Sequence, residues 1–572
     1  MALDHLRSEV RPGAYYDSAV LMQLQRNLLG LPGVLDAGVV MATPANCELL
    51  EQSGLLAGTP TAGPNDLLLV VRAGSAAAAE AALGQVDALL ARRRTSVAPE
   101  FRPRSLETAL RQLPEAAWVL VSVPGRYAAG VAREALDHDR HVFLYSNNVS
   151  LADEVALKQT ALARGLLVMG PDCGTAIVNG VGLGFANRVR RGPVGLVGAS
   201  GTGLQAVTSR LHALGSGVSH ALGTGGRDLK AEVDAITARQ SLDLLARDPD
   251  TKVIVIVSKP PAPTVATRLL AAAQAAGKPV VVDFLGYPPP GRQIGNLHFA
   301  VSLADAAERA AQLAVGLPAA EVAPAAAPPP LAAPYLRALF SGGTLANETL
   351  LGLQAVLTPL FSNLASSQEQ QLADPLQSQA HTLLDLGEDV FTVGRLHPMI
   401  DNELRLRRLK QEAADPTVGL ILLDVVLGEG AHPDPAAELG PAIAAAQAAR
   451  PELEVVALVV GTDADPQGLE AQKQRLAEAG AFVVETTTAA VSRVAQRLGR
   501  APASVNAVLS APPVALDRLA RAPLAAVNVG LESFAASLAG QGAQVVQLDW
   551  RPPAGGNEKM MALLAKMKKG AP

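Results

Sequence analysis

Along most of the chain, short runs that are apolar at every position alternate with longer stretches of helical period. Trp118–Val123 (WVLVSV), Val194–Val197, Val253–Val257, Pro279–Phe284, Leu420–Val426 and Val455–Val460 are the clearest runs, and Ala/Leu/Arg-rich segments separate them. A strand with no polar alternation has both faces covered, as in a parallel sheet lying between layers of helix. The expected fold class is therefore α/β. The segment Pro318–Pro334 (PAAEVAPAAAPPPLAAP) has nothing to build a core from and reads as an extended linker. A weak repeat spans it. Before the linker, a strand, the loop Ser200-Gly201-Thr202-Gly203 and a helix are followed by ARDPDTKVIVIV. After it, a strand, the loop Ser341-Gly342-Gly343-Thr344 and a helix are followed by AADPTVGLILLDVV. The near-equal spacing predicts two copies of one flavodoxin-like unit. The expected divisions are a small α/β domain at 1–103, a Rossmann-like unit at 104–191, flavodoxin-like units at 192–317 and 335–510 joined by the linker 318–334, and a tail at 511–572.

Composition narrows the class. With 49% hydrophobic and 18% charged residues, the 572-residue chain can bury several cores. A net charge of −5 gives no overall basic footprint for nucleic acid, so no nucleic-acid partner is expected. No apolar run reaches the ~18–20 residues of a membrane span, and the N-terminus does not read as a secretory signal. Cys47 and Cys173 are the only cysteines and have no CxxC neighbour, which argues against a disulfide scaffold or a cysteine metal site. The expectation is a cytoplasmic protein with no membrane partner and no metal.

The two small-residue loops carry the first candidate chemistry. A glycine-rich turn entering a helix aims backbone N–H groups and the helix dipole at one point, which suits an anion. Ser200, Gly201, Thr202 and Gly203, with Gly342, Gly343 and Thr344, are the candidate phosphate ligands. The alternative is that the glycines only make tight turns and the hydroxyls cap helices. The segment from Asp385 to Asp401 is dense in polar side chains where a ligand loop of an open sheet would lie. Arg395 suits bidentate grip on a phosphate or carboxylate, His397 suits proton transfer or carbonyl polarisation, and Asp401 either orients the histidine or caps the next helix. His432 and Asp434 form a second His–Asp pair in a proline-rich turn, catalytic or structural.

From Trp118 to Val301 the chain resembles the α-subunit of succinyl-CoA synthetase, through VPGRYAAGVAREAL, SNNVSLADEVALK, MGPDCGTA, VGLVGASGTGLQAV and GTGGRDL, and the part after the linker is similar to that enzyme's β-subunit ligase domain. The whole chain, including TPANCELL, FTVGRLHPMID and GAHPDPA, resembles the FdrA family. The resemblance implies a CoA-binding-type Rossmann domain and two succinyl-CoA-synthetase-type ligase domains. Two departures weigh against ATP-driven thioester formation. Asn296 stands where the synthetase has its phosphorylated histidine, and Lys259 stands where it has the glutamate that orients it. With the relay lost, no cofactor is expected to be required, and CoA or a nucleotide is doubtful.

The FdrA resemblance implies a subunit of an oxamate carbamoyltransferase complex acting in anaerobic allantoin breakdown. Carbamoyl phosphate and oxamate would give oxalurate and phosphate, with partner subunits of the DUF1116 and DUF2877 types. Arg395, His397 and a neutral Asn296 would then act on the carbamoyl or oxamate group. A CoA-dependent acyl ligase or transferase and a non-catalytic assembly subunit are the alternatives. The tail, from Val527 to Pro553 with a Met-rich closing helix (Met560, Met561, Leu563, Leu564, Met567), suits either a partner groove or packing on its own domain.

Overall fold

The computed structural model describes residues 5–12, 18–42, 46–47, 50–51, 54–56, 61–63, 66–92, 103–287, 291–315, 331–354, 356–365, 367–392, 396–498 and 523–550. The N-terminal domain is an antiparallel three-stranded sheet, with Leu67–Ala73 between His5–Arg11 and Val34–Met41. Leu24 and Leu28 of the helix Ser18–Leu29 and Ala79 and Ala82 of the helix Ala76–Gly84 close its core against Val39, Leu69 and Val71.

The repeat across the linker is real in topology. In the first copy, the strand Arg191–Ala199 lies between Val218–Gly223 and Val253–Ser258, with Val280–Phe284 and Leu297–Phe299 beyond, all parallel. In the second, Tyr335–Phe340 lies between His381–Asp385 and Val418–Val426, with Glu454–Val460 and Phe482–Val484 beyond. Both give the order 2-1-3-4-5 of the flavodoxin type. The second copy adds the edge strand Leu360–Ser362 outside His381–Asp385. The two copies share one apolar core, in which Val207 and Leu211 of the helix Gly201–Ala213 join Leu345 and Leu350 of the helix Gly343–Gln354.

Two expected boundaries move. The hairpin Thr175–Val178 and Val181–Gly184 pairs with Val218–Gly223, so the first copy takes in residues assigned above to the Rossmann-like unit. The tail is not a separate appendage either. Its strands Ala525–Val529 and Gln544–Leu548 line up beside Trp118–Val121, His141–Leu144 and Val168–Met169 in one parallel sheet. The order is 3-2-1-4-5, with the fourth and fifth strands supplied by the chain's far end. Val527 and Val529 are buried on one face of this strand and pack with Val119 and Val121, while Asn528 between them is a buried polar residue. Ser122 Oγ clamps the junction, donating to the Val529 carbonyl (3.3 Å) and accepting from the Leu531 N–H (2.9 Å). Trp550 packs against Tyr127 with ring centroids 5.3 Å apart and the rings tilted by 59°. The Met-rich closing helix at 558–569 lies outside the described residues.

A chain ending at Ala511 should therefore lose the integrity of the five-stranded sheet while the duplicated pair stays folded. Trp118, 2% exposed in the full chain, becomes the single tryptophan of that truncation. Its emission should shift to the red and residues 103–174 should become protease-sensitive. A blue-shifted Trp118 in the truncated chain would contradict this account of the tail.

Candidate functional site

Ligands of open parallel sheets bind beyond the carboxyl ends of the strands, and here three such ends converge on one cleft of about 1040 Å³. The Rossmann-like unit contributes Ser122–Arg126, Asn147, Asn148 and Gly530–Glu532, the first duplicated unit Ser200–Thr202, Gly225–Arg227 and Lys259, and the second Ser341–Thr344, Asp385, Gly387–Asp389 and His397. Asp172, Gly174 and Thr175, in the link between the first two units, complete the wall. The loop that carries Arg227 is held by a buried ion network. Lys158, fully buried, donates to Glu154 (2.9 Å), Asp228 (2.7 Å) and the Thr224 carbonyl (3.0 Å), and Arg227 Nε donates to Glu154 (2.9 Å). A Cβ at Gly225, whose φ is +83°, would stand 2.2 Å from the Pro171 carbonyl oxygen. Only glycine allows that approach.

The two small-residue loops meet on the cleft floor. Ser200 Oγ donates to Thr344 Oγ1 at 2.8 Å, and a Cβ on Gly342 would press on Thr202. The loops are not equivalent. In the second, the Ser341 N–H (2.8 Å), the Ser341 hydroxyl (2.9 Å) and the Gly342 N–H (2.9 Å) all donate to the fully buried carboxylate of Asp424, which Arg405 pairs at 3.3 Å. Gly342 therefore spends its donor inside the protein, contrary to its expected role as a phosphate ligand. In the first loop the counterpart strand ends in Ser258 beside Ala199, and Ser258 turns its hydroxyl to the Lys259 carbonyl. Gly203 is also a correction: its N–H caps onto Ser200 Oγ (3.1 Å) and it does not line the cleft.

The donors left for a ligand are the first-turn amides of Gly201, Thr202, Gly343 and Thr344, with the Thr202 hydroxyl and the Lys259 ammonium. Thr175 joins them. It is 2% exposed, its Oγ1 has no partner among the described residues, and it lies 3.3 Å from where a Gly201 Cβ would stand. A buried hydroxyl without a partner costs stability unless a ligand or water satisfies it.

His397 reaches the cleft. Its Nδ1 accepts the Met399 N–H (3.2 Å), so the backbone orients the ring rather than Asp401, and Nε2 carries the hydrogen. Burial, then the nearby Arg405 charge, brings its pKa down to about 4, so it is neutral at pH 7. Asp401 accepts the Glu403 N–H (3.0 Å) at the start of the helix Glu403–Ala414, and its helix-end role prevails. Arg395 lies outside the described residues.

Three other candidates are structural. Asn296 spends both amide hydrogens on the carbonyls of Ala273 (3.0 Å) and Lys278 (2.8 Å), and neither it nor His298 lines the cleft. His432 accepts the Asp434 N–H and faces Glu438 at 3.2 Å. Asp434 caps the helix Pro435–Ala449 and binds Arg475 and Gln472. Asp172, inside the MGPDCGTA motif, and Asp385, at the head of the 385–401 segment, are two cleft acids that the sequence does not single out. Burial first, then the neighbouring carboxylates, raises Asp172 to about 6 and Asp385 to about 7. Asp172 lines the cleft and is exposed there, next to Gly226.

Residues 339–497 match the CoA-ligase family model, 189–286 the CoA binding domain model, and 3–103 the model of the AllF heavy metal-associated domain. The CoA-binding match falls on the first duplicated unit, not on the Rossmann-like unit expected to carry it. Cys47 is the one cysteine of residues 3–103, and among the described residues no group of three His, Cys, Asp or Glu side chains able to hold a metal occurs. The uncharacterized protein YahF of Escherichia coli (strain K12) is 41% identical over 498 residues, 84% of this chain and 96% of that protein. The succinate–CoA ligase [ADP-forming] subunit alpha of Aquifex aeolicus (strain VF5) is 27% identical over 184 residues, 31% of this chain and 59% of that one. The apo form of the Ca. Korarchaeum cryptofilum dinucleotide-forming acetyl-coenzyme A synthetase 1 is 16% identical, covering 70% of this chain and 86% of that one, at a TM-score of 0.27. That score is too low to bear on how the units are arranged. Among the described residues no helix is long and apolar enough to cross a membrane.

The neutral state of His397 sets a pH dependence. A histidine whose folded pKa lies below its unfolded value of ~6.5 binds fewer protons in the native state, so its contribution is present above pH 6.5 and lost as pH falls toward 4. His141, brought down to about 4 by burial and Arg140, acts the same way. His397→Gln should reduce the stability lost between pH 7 and pH 4.5 by about 2 kcal/mol. Equal losses in denaturant unfolding of both proteins would show that His397 is not held neutral.

Proposed function

Because the chain belongs to the family of the YahF protein, an FdrA-type group of succinyl-CoA-synthetase-like proteins, we propose that it is the phosphate-handling subunit of an oxamate carbamoyltransferase complex. The reaction is carbamoyl phosphate plus oxamate to oxalurate plus phosphate, and it conserves energy in the reverse direction. The observation that carries the reading is the meeting of the two duplicated loops at the 2.8 Å Ser200–Thr344 contact, with Thr175 unpartnered beside them and Lys259 on the same cleft. This arrangement suits a tetrahedral oxyanion: first-turn amides and hydroxyls hold its oxygens, and the ammonium balances its charge. The match of the N-terminal domain to one named for AllF supports a place in allantoin breakdown.

The CoA-ligase and CoA-binding matches favour acyl-CoA ligation as a second reading. The phosphoryl-carrier position of the synthetase is lost. Asn296 and His298 sit away from the cleft, and an amide cannot take a phosphoryl group through a ring nitrogen. In carbamoyl transfer no enzyme-bound phosphate is needed. The loops hold phosphate against the carbamoyl carbon, and the His397 Nε2–H is a neutral donor for the oxygen that gains charge as the carbon becomes tetrahedral. The DUF1116-type and DUF2877-type subunits are taken as the partners that complete the acceptor side.

The test is calorimetric titration with inorganic phosphate and carbamoyl phosphate, together with phosphate-dependent oxalurate cleavage by the complex purified with its genomic neighbours. Gly201→Val drives a branched side chain at Thr175, and Lys259→Ala removes the facing cation. Each should weaken phosphate binding at least about tenfold, consistent with the loss of a charge-assisted contact, with circular dichroism unchanged. Wild-type binding in both variants would reduce the loops to turns, and tight CoA binding with phosphohistidine formation would favour the ligase.

A further inference from the structure

Resting on that reading, we propose that Asp385 is the catalytic residue that carries the transferred proton. It acts as the acid toward the departing oxamate nitrogen during phosphorolysis and as the base toward the attacking nitrogen in the other direction.

The geometry comes first. Asp385 ends the strand His381–Asp385, directly beside Phe340, the residue before the second loop. Its Oδ1 accepts the Gly387 N–H at 2.9 Å, which fixes the carboxyl plane. Its Oδ2 accepts no hydrogen bond from the described residues and lies against the loop itself, where a Cβ on Gly343 would stand 2.4 Å from it. A Cβ on Gly387 would meet His397 Nε2 at 2.9 Å and Asp385 Oδ1 at 3.1 Å, so the imidazole N–H and the carboxyl close on one point of the cleft. An oxyanion seated on the first-turn amides of Gly343 and Thr344 thus has the free oxygen of Asp385 beside it and the His397 donor next to that.

The charged groups facing Asp385 come from four elements. Glu388 follows it in the same loop, Asp424 comes from the strand Val418–Val426 with its charge paired to Arg405, Lys259 comes from the first duplicated unit, and neutral His397 precedes the helix Glu403–Ala414. Burial and the two acids outweigh the Gly387 hydrogen bond and Lys259 and bring Asp385 up to about 7, so at neutral pH it both holds and releases a proton.

In phosphorolysis, an oxygen of hydrogen phosphate attacks the carbamoyl carbon of oxalurate and forms the new C–O bond. The C–N bond to the oxamate nitrogen breaks, and its electron pair stays on nitrogen. Asp385 gives its proton to that nitrogen and recovers one from the P–OH group, which becomes more acidic as phosphate turns into a mixed anhydride. Oxalurate and hydrogen phosphate become oxamate and carbamoyl phosphate with no net proton change.

The experiment uses the full complex with Asp385→Asn, Asp385→Glu and Asp172→Asn. Asp385→Asn should keep phosphate binding within about threefold of wild type by calorimetry, cut kcat at least about a hundredfold, and abolish the pH-dependent limb near pH 7. Asp385→Glu should restore part of the rate with a displaced limb. If phosphate binds and oxalurate is cleaved, but the limb survives Asp385→Asn and disappears in Asp172→Asn, this assignment is wrong and the transfer reading stands. If the wild-type complex neither binds phosphate nor cleaves oxalurate, the transfer reading itself is what fails.

Discussion

Two helices begin at the same place with their positive ends together. Gly201–Ala213 and Gly343–Gln354 each bring about half a positive charge to the cleft floor, and Ser200, the N-cap of the first, touches Thr344 in the first turn of the second. Like partial charges held that close repel unless negative charge or hydrogen-bond acceptors compensate them. The protein compensates permanently on one side, where the buried Asp424 carboxylate takes the Ser341 and Gly342 donors. On the other side Ser258 stands in place of that carboxylate, and an anion from outside would be the natural complement. The shared apolar core of the two copies forces the helix ends to stay together, so the electrostatic problem cannot relax by separation.

Duplication made the site and divergence gave it direction. The third strand of one copy ends in Ser258 and that of the other carries Asp424, one at each side of the floor. A symmetric pair of open loops would hold an anion without distinguishing its ends. With one loop filled from within, the ligand contacts of the second reduce to Gly343 and Thr344, next to Asp385. Lys259 and Thr175 belong to the opposite wall. In the proposed reading, a bound oxyanion would have a cationic side at Lys259 and a proton-exchanging side at Asp385.

The third wall depends on the chain's far end. Strands Ala525–Val529 and Gln544–Leu548 return across the molecule to complete the sheet begun by Trp118–Val121. The helix Glu532–Gly540 then ties that sheet to both copies, through Gln541 to Gly182 (2.7 Å) and Ser537 to Glu429 (2.9 Å). Tail, Rossmann-like unit and duplicated pair thus form one scaffold around the cleft, with the two tail strands as a structural closure. Buried Lys158, with Glu154 and Asp228, locks the loop that bears Arg227 into the same frame. Removing one partner of such a network would strand a charge in the interior.

Local pattern alone determined the α/β class, the repeat across the linker and the two loops. Continuously apolar strands, amphipathic helices and Ser/Gly/Thr turns are written in neighbouring residues, and their physics is local. What each loop's donors face is not. Nothing near Ser341 in sequence announces Asp424, 83 residues away, and nothing near Trp118 announces its strand neighbour Ala526. Asn296 looked like a catalytic position by alignment, but its amide is used up by two carbonyls of its own unit. His432 and Asp434 read equally as a catalytic or a structural pair, and in the fold His432 accepts the Asp434 N–H while Asp434 caps a helix. The titration of Asp385 and His397 likewise belongs to tertiary structure, because a pKa is moved by burial and by charges that other elements bring near. Sequence set which groups the chain owns. Only the packing of three sheets decided which of them share a cleft, and which had already spent their hydrogen bonds within the protein.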